Sequence, residues 1–278
     1  MYDVSYSYLY GFFMIVELSD FFNNPSLIEI GPLKIQYYAV TWLLSAIFIY
    51  LFLKSNQIMI ELGLNHEKVN DLVFMYGLFI GSMCGGRFGY MIFYGTEQLI
   101  SNPLSLFYIW QGGLSFHGGL VGVVISFLVF SKRNNISFLR LMDGAALAMP
   151  IGLGLVRIGN FLNGELYGKE TNGDWGFIFP TDPFGLLRHP SQLYESFGEG
   201  ILLFILLYCI NKLTKIHGVV CSSFLILYGL IRFIIEFFRQ PDSHIGYVFL
   251  ESLSMGQILC VPMIAIGFIM LFYSRKTS

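Results

Sequence analysis

A short segment, Val156 to Gly168 (VRIGNFLNGELYG), carries polar side chains directly after the apolar run Ala145 to Leu155. Charges and amides at membrane depth are costly unless they are paired or hydrated, so they usually mark a functional site. Two further polar clusters follow, RHPSQLYE at 188–195 and YGLIRFIIEFFRQPD at 228–242. The three clusters predict a buried polar active site at membrane level. The first cluster contains Arg157, Asn160, Asn163, Glu165 and Tyr167.

The third cluster has a helical spacing. Tyr228, Arg232 and Glu236 are four residues apart, so they share one helix face, and Arg239 returns to that face. A planar guanidinium near the lipid headgroups matches phosphate oxygens. The structural alternative is an Arg232–Glu236 ion pair that only holds the helices together.

A histidine lies between two pairs of glycines in GGLSFHGGL, Gly112 to Leu120. Gly118 and Gly122 allow close helix contact. Imidazole is the usual side chain for moving a proton at neutral pH, so His117 is a candidate general base. The alternative is a core histidine that hydrogen-bonds a neighbouring helix.

Two other positions are candidates for the same chemistry. Arg87 lies within the apolar stretch CGGRFGYMIFY, and we expect it to pair with a carboxylate or a lipid phosphate. Tyr38 belongs to QYY at the start of the first apolar run. For the QYY tyrosines, an aromatic belt at the membrane interface is the alternative interpretation.

Several other classes of site have no support in the sequence. There is no HExxH, GxSxG or Walker motif, and the four cysteines form no CxxC pair. No known metal motif is therefore present in the sequence. A net charge of −2 also argues against a nucleic-acid partner.

The composition indicates a lipid bilayer as the surroundings of these residues. Of 278 residues, 55% are hydrophobic and 12% are charged, against about 25% charged in soluble domains. We predict an all-α integral membrane protein, one membrane domain over 1–278, with about seven transmembrane helices. The segment 8–22 is interpreted as an interfacial arm, with an eighth span as the alternative. The predicted spans are about 37–54, 71–94, 108–130, 141–157, 194–211, 218–238 and 256–274.

Basic residues fix the predicted orientation. They accumulate in alternate connections, around Lys54 and Lys68, Lys132 to Arg140, Lys212 and Lys215, and at the C-terminus. By the positive-inside rule these connections are cytoplasmic, which places the polar clusters at the outer leaflet. The long connection 158–193, rich in glycine and proline, is predicted to be a small extracytoplasmic head.

The motifs together resemble a known family. In order they are GPLKIQYYAV, GGRFGYMIFY, GGLSFHGGL, RIGNFLNGELYG, RHPSQLYE, YGLIRFIIEFFRQPD and SMGQIL. Over about Ile30 to Tyr273 the chain is similar to the bacterial prolipoprotein diacylglyceryl transferases. The family signature GRxGNFxNxExxG is matched from Arg157 through Gly168, with Val156 in place of the leading glycine.

The resemblance implies a multi-pass protein of the bacterial cytoplasmic (inner) membrane that uses no metal or soluble cofactor. Its partners would be phosphatidylglycerol and the lipobox segment of a preprolipoprotein. The diacylglyceryl group would pass to the lipobox cysteine thiol and glycerol 1-phosphate would leave, as the first step of lipoprotein maturation. Phosphatidylglycerol would be bound by Arg157, Asn160, Glu165, Arg87 and Arg239. The predicted catalytic residues are His117, Arg232, Tyr38, Glu236 and Tyr228.

Two other classes were compared with this one. A transporter or channel would also place polar groups inside a helical bundle, but it predicts broken helices in two related halves, which the sequence does not show. A purely structural membrane protein would not need three arginines near one leaflet.

Overall fold

The computed structural model describes residues 15–16, 26–30, 33–171, 173, 175–241, 247–249 and 253–276. The fold is all-α and multi-pass, as predicted. Within these described residues, six helices are long and apolar enough to cross a membrane, and a seventh apolar helix has 17 residues. At 1.5 Å per residue this shorter helix is about 26 Å long, slightly less than a bilayer core of about 30 Å.

The elements follow one another in a simple order. The strands are β1 (Ile15–Val16), β2 (Ser26–Ile30), β3 (Leu33–Gln36), β4 (Gly176–Ile178), β5 (Leu187–Arg188), β6 (Tyr247–Phe249) and β7 (Leu253–Ser254). The helices are α1 (Tyr37–Ser55), α2 (Gln57–Glu61), α3 (His66–Phe93), α4 (Thr96–Ser101), α5 (Phe116–Arg133), α6 (Phe138–Leu162), α7 (Ser191–Leu213), α8 (Val219–Ile235) and α9 (Met255–Lys276). Helices α3 and α7 contain π-helical stretches at Asp71–Cys84 and Ser196–Leu202.

The predicted spans match these helices to within about three residues except at three ends. Helix α3 begins at His66 rather than near 71, because Asn65 caps it by accepting from the Lys68 N–H. Helix α5 begins at Phe116 rather than near 108, because Gly112 and Gly113 have positive φ and Ser115 caps the helix by accepting from the Gly118 N–H. Helix α6 continues to Leu162 rather than ending near 157. The polar side chains in its last turns have partners there, so the helix need not stop at the first charge.

Two compact units make up the chain. Unit 1 consists of 1–45, 150–203 and 227–264, and unit 2 of 46–149, 204–226 and 265–278. Helices α1, α6, α7, α8 and α9 contribute residues to both. The expectation of one domain over 1–278 stays a prediction.

In unit 2, glycines bring α3 and α5 into backbone contact. A Cβ added at Gly118 would lie 2.6 Å from the Gly85 carbonyl oxygen, and one at Gly122 would lie 2.4 Å from that of Gly81. Real side chains do not approach backbone this closely, so glycine is required at both positions. The close helix contact predicted from the spacing of Gly118 and Gly122 is confirmed.

The predicted head, in unit 1, contains a small sheet and an aromatic core. Strand β4 pairs in parallel with β1 and antiparallel with β5. The rings of Phe161 and Phe179 are buried, and Tyr167 and Phe177 pack against them. Among the described residues, non-helical backbone occupies 163–171, 173 and 175–190, a shorter segment than the predicted 158–193. Within the segment 8–22, Ile15 and Val16 form β1, and the remainder lies outside the described residues.

An ion pair ties the head together. The Arg188 Nε and Nη2 atoms donate to the two carboxylate oxygens of Asp182, at 2.8 and 3.0 Å. Burial alone would raise the pKa of Asp182, but the hydrogen bonds from Arg188 and from the Leu186 and Phe184 N–H groups outweigh it. The pKa of this carboxyl is therefore below its ordinary value.

Asp182→Asn should destabilise the head by about 3 kcal/mol, because it leaves a buried guanidinium without its charge partner. A depressed pKa stabilises the fold above the unfolded value, about pH 4, and the contribution is lost as pH falls through the folded pKa. The protection factors for amide hydrogen exchange in 176–188 should therefore fall below about pH 4 in the wild type but change little there in the variant. Glu97→Gln, at an exposed carboxylate of α4, is the matched control. Equal protection in all three proteins would contradict the assignment.

Candidate active site

The first polar cluster is built by the end of α6 and the turn that follows it. Gly164 and Leu166 both have positive φ, at +67° and +59°. The turn places the Glu165 carboxylate back on the helix end, where Asn160 Nδ2 donates to its Oε1 at 2.9 Å. Asn160 in turn accepts from Arg157 Nη1 at 3.3 Å. The residues of the signature therefore form a chain of polar contacts, Arg157–Asn160–Glu165.

Two glutamates of α7 complete the cluster. Glu195 and Glu199 are one turn apart and 1% and 0% exposed. Glu195 Oε2 lies 2.5 Å from Arg157 Nε and 3.1 Å from Arg232 Nη1. Arg232 Nη1 also donates to Glu199 Oε1 at 3.3 Å. One carboxylate therefore joins the arginine of the first cluster to that of the third.

The guanidinium of Arg232 is almost enclosed by carboxylates. Besides Glu195 and Glu199, Glu236 Oε2 lies 2.8 Å from its Nη2. Arg239 extends the cluster, with its Nη1 3.8 Å from Glu236 Oε1 and its Nε 3.8 Å from Glu195 Oε1. A buried charge is tolerated only where partners offset the loss of hydration, and these carboxylates do so. The predicted Arg232–Glu236 pair is present, within a larger network.

Three glycines let the backbone approach this network. A Cβ at Gly200 of α7 would lie 2.9 Å from the Gly154 Cα of α6. A Cβ at Gly256 of α9 would lie 2.8 Å from the Glu236 carboxylate. Gly168, the last glycine of the signature, would place a Cβ 2.6 Å from the Phe238 carbonyl oxygen. The segment around Gly168 can therefore pair with the one that carries Arg239.

The two predicted tyrosines of unit 1, Tyr38 and Tyr228, lie on α1 and α8. The Tyr38 backbone N–H, at the start of α1, donates to Asn163 Oδ1 at 3.4 Å. A Cβ at Gly159 would be 3.2 Å from the Tyr38 Cα, so α1 and α6 are in close contact there. Tyr228 is half-buried on α8, one turn before Arg232. The structure thus groups Tyr38 with the signature and Tyr228 with the arginine network.

His117 belongs to unit 2. It lies in the first turn of α5 and is exposed, and its ring packs edge-on against Phe116 at 5.8 Å between centroids. It makes no hydrogen bond within the described part of the chain. The interpretation of His117 as a satisfied core histidine therefore has no support, and its role as a base stays a prediction.

Arg87, also in unit 2, has different partners from those expected. Its guanidinium is 3% exposed and donates to the backbone carbonyls of Ser105 at 2.6 Å and Leu106 at 3.3 Å, and also to that of Gly112. Backbone carbonyls of one loop thus take the place of the carboxylate that the sequence suggested, and Arg87 holds the loop before α5. The expected carboxylate partner is wrong for the described residues, and the alternative of a lipid phosphate stays a prediction. Its binding of phosphatidylglycerol is a prediction that this geometry does not favour.

Sequence reasoning missed Glu195 and Glu199 as individual site residues. Glu195 lies in RHPSQLYE, which the sequence marks only as a polar cluster. Glu199 lies in the apolar stretch SFGEGIL, and its one signal was a charge four residues after Glu195. Among the described residues no group of three or more His, Cys, Asp or Glu is arranged to hold a metal ion.

The fold and this site define a multi-pass membrane protein with an arginine–glutamate centre. The carboxylates of this centre are buried, whereas the Arg157 side chain is partly exposed. Such a centre can hold an anionic group, because arginines supply directed donors and carboxylates fix where the donors point.

The chain belongs to the prolipoprotein diacylglyceryl transferase family, whose model matches residues 25–273. It is 44% identical over 259 residues to the phosphatidylglycerol–prolipoprotein diacylglyceryl transferase of Pseudomonas entomophila, covering 92% of this chain and 96% of that one. The enzyme of the same name from Pseudomonas putida is 45% identical with the same coverage. That of Oleidesulfovibrio alaskensis is 42% identical over 256 residues, covering 92% and 94% of the two chains.

Proposed function

We propose that this protein transfers the diacylglyceryl group of phosphatidylglycerol to the lipobox cysteine thiol of a prolipoprotein. In the reaction the thiol loses its proton, and the sulfur forms a bond to the glyceryl carbon that carries the phosphate. The bond between that carbon and the phosphate oxygen breaks, and glycerol 1-phosphate leaves. The product is a thioether, and no electrons are gained or lost.

The observation that carries the proposal is the sharing of Glu195 between Arg157 and Arg232. A displacement that releases a phosphate needs cationic donors that are already oriented when negative charge develops on the leaving oxygens. Glu195, Asn160 and Glu199 hold the two guanidinium groups in place. The Arg157 side chain is 19% exposed, so it remains accessible to a headgroup.

The remaining assigned residues have supporting roles in the proposal. Asn160 and Glu165 shape the headgroup pocket beside Arg157, and Arg239 supplies further positive charge. Glu236 and Tyr228 orient Arg232 from α8, and Tyr38 closes the pocket from α1. His117 is the candidate acceptor of the thiol proton, because imidazole suits that task at neutral pH.

The activity is tested with the full chain in vesicles. The vesicles contain phosphatidylglycerol labelled in its diacylglycerol part, and a peptide with a lipobox cysteine is added. We expect a labelled peptide whose bond resists hydroxylamine, as a thioether does, and one glycerol 1-phosphate per peptide. A Cys→Ser peptide is the control. Transfer of a fatty acid alone, or no transfer, would refute the proposal.

We further propose that the protein lies in the bacterial cytoplasmic membrane with its active site toward the outer leaflet. The support is the excess of Lys and Arg in alternate connections. A cysteine placed at the exposed Asn135, in a chain lacking Cys84, Cys209, Cys221 and Cys260, should be shielded from impermeant reagents added outside. A cysteine at the exposed Glu170 should be labelled. The reverse pattern would overturn the orientation.

A further inference from the structure

Gln192 has a buried amide oxygen without a partner. The side chain is 1% exposed, and its Nε2 donates to the backbone carbonyl of Glu165 at 2.7 Å. A carbonyl oxygen only accepts, so this bond fixes the amide with its nitrogen toward Glu165. The Oε1 atom then points elsewhere, and it accepts no hydrogen bond from the described residues.

Such an atom requires an explanation, since nearly all buried polar groups in folded proteins are hydrogen-bonded. The amide nitrogen alone makes the hydrogen bond to Glu165, so this bond does not explain the unpaired oxygen. A different side chain or a backbone change could have paired the oxygen, yet the fold leaves it as an acceptor. It is therefore ready to receive a donor that the described residues do not supply.

The position of Gln192 identifies the region from which that donor comes. Gln192, Glu195 and Glu199 lie at helical positions i, i+3 and i+7 of α7, so they share one face. Residues three apart on a helix have Cβ atoms about 5–6 Å apart. Glu195 holds Arg157, so Gln192 lies one turn along the same wall from the proposed phosphate site.

We propose that Gln192 Oε1 accepts a hydrogen bond from a hydroxyl of the substrate's headgroup, and so selects a lipid with a hydroxylated headgroup. This inference rests on the proposed function. With the phosphate at Arg157, the rest of the headgroup extends beyond it, and in phosphatidylglycerol that part is a glycerol with two hydroxyl donors. A headgroup without hydroxyls leaves the buried Oε1 unpaired, and the desolvation of that acceptor is then not compensated.

The test compares phosphatidylglycerol with phosphatidylpropanol, which has the same phosphate and the same number of headgroup carbons but no hydroxyl. We expect wild-type kcat/KM to be about 5- to 150-fold higher with phosphatidylglycerol. Gln192→Met, which is similar in shape but lacks the acceptor, should reduce this ratio to within about threefold of one. This variant also loses the hydrogen bond from Gln192 Nε2 to the Glu165 carbonyl. That loss should lower kcat/KM by the same factor with both lipids, so it cancels in the ratio.

Gln257 provides a matched control. It is also buried, 2% exposed, but both ends of its amide are paired, since Oε1 accepts from the Ser254 N–H at 3.1 Å and Nε2 donates to the Phe233 carbonyl at 3.5 Å. Gln257→Met should lower kcat/KM by the same factor with both lipids and keep the wild-type ratio.

The outcomes separate the two proposals. A wild-type enzyme that uses both lipids equally, or a Gln192→Met variant that keeps the wild-type ratio, overturns the role of Gln192 and leaves the transferase intact. Absence of transfer from either lipid by the wild type overturns the proposed function. If Gln192→Met does not fold, equal use of the two lipids by the wild type would still overturn the proposal, because that comparison needs no substitution.

Discussion

Arg157→Lys should lower kcat/KM for diacylglyceryl transfer about 30- to 1000-fold while the protein remains folded. In the structure, Arg157 presents Nε to Glu195 and Nη1 to Asn160, and Nη2 makes no hydrogen bond to the described residues. The free N–H groups can bind two phosphate oxygens at once. Lysine keeps the charge but has a single nitrogen, and the loss of two charge-assisted hydrogen bonds costs about 2–4 kcal/mol.

The measurement is initial rate against lipid concentration at equal membrane abundance, with thermal stability recorded in parallel. Arg133→Lys is the matched control, because Arg133 is exposed and bonds the Tyr76 hydroxyl in unit 2. It should change the rate less than about twofold, as surface substitutions generally do. Turnover near that of the wild type in Arg157→Lys would show that this residue only shapes the structure.

Opposite charges in the arginine–glutamate network balance one another, which explains how it can be buried at all. Arg157, Arg232 and Arg239 lie beside Glu195, Glu199 and Glu236, three cations to three carboxylates. The three arginine charges are therefore balanced by carboxylates before an anion arrives, and Glu165, joined through Asn160, adds a fourth carboxylate. The phosphate must therefore use N–H groups that the carboxylates leave open, which favours the directed fork of arginine over a diffuse positive patch.

The sequence was sufficient to predict the helices and the Arg232–Glu236 pair, because both depend on local spacing. Apolar runs of about 20 residues predict spans, and steps of four placed Arg232 and Glu236 on one face. The link from Asn160 to Glu165 could not be predicted in this way. It depends on a turn in which Leu166 adopts a positive φ, a backbone conformation that residues other than glycine rarely adopt.

Two residues show why the remaining contacts could not be predicted from the sequence. Glu199 stands alone in an apolar stretch, so its partner on another helix could be found only from the packing of α7 against α8. The sequence predicts an anionic partner for Arg87. In the structure, the positive φ values of Gly112 and Gly113 turn the carbonyls of the loop before α5 toward the guanidinium. A loop conformation of this kind has no periodic pattern in the sequence.

His117→Gln should lower the transfer rate about 10²- to 10⁴-fold, if the imidazole accepts the thiol proton. Glutamine keeps much of the size and some hydrogen bonding but cannot act as a base near neutral pH. His117 is exposed in the first turn of α5, so the substitution should leave the fold intact. His66→Gln, at an exposed histidine at the start of α3, is the matched control and should retain activity.

The dependence on pH distinguishes a base from a structural residue. A cysteine thiol has a pKa of about 8.5, so raising the pH supplies thiolate from solution and should partly restore His117→Gln. A structural role predicts instead that the loss follows protein abundance or lipid affinity and does not recover at high pH. Parallel pH–rate profiles for the variant and the wild type would remove His117 as the base. The source of thiolate would then be sought at Glu165, or in the positive field of Arg157 and Arg232, which favours an anionic sulfur near either guanidinium.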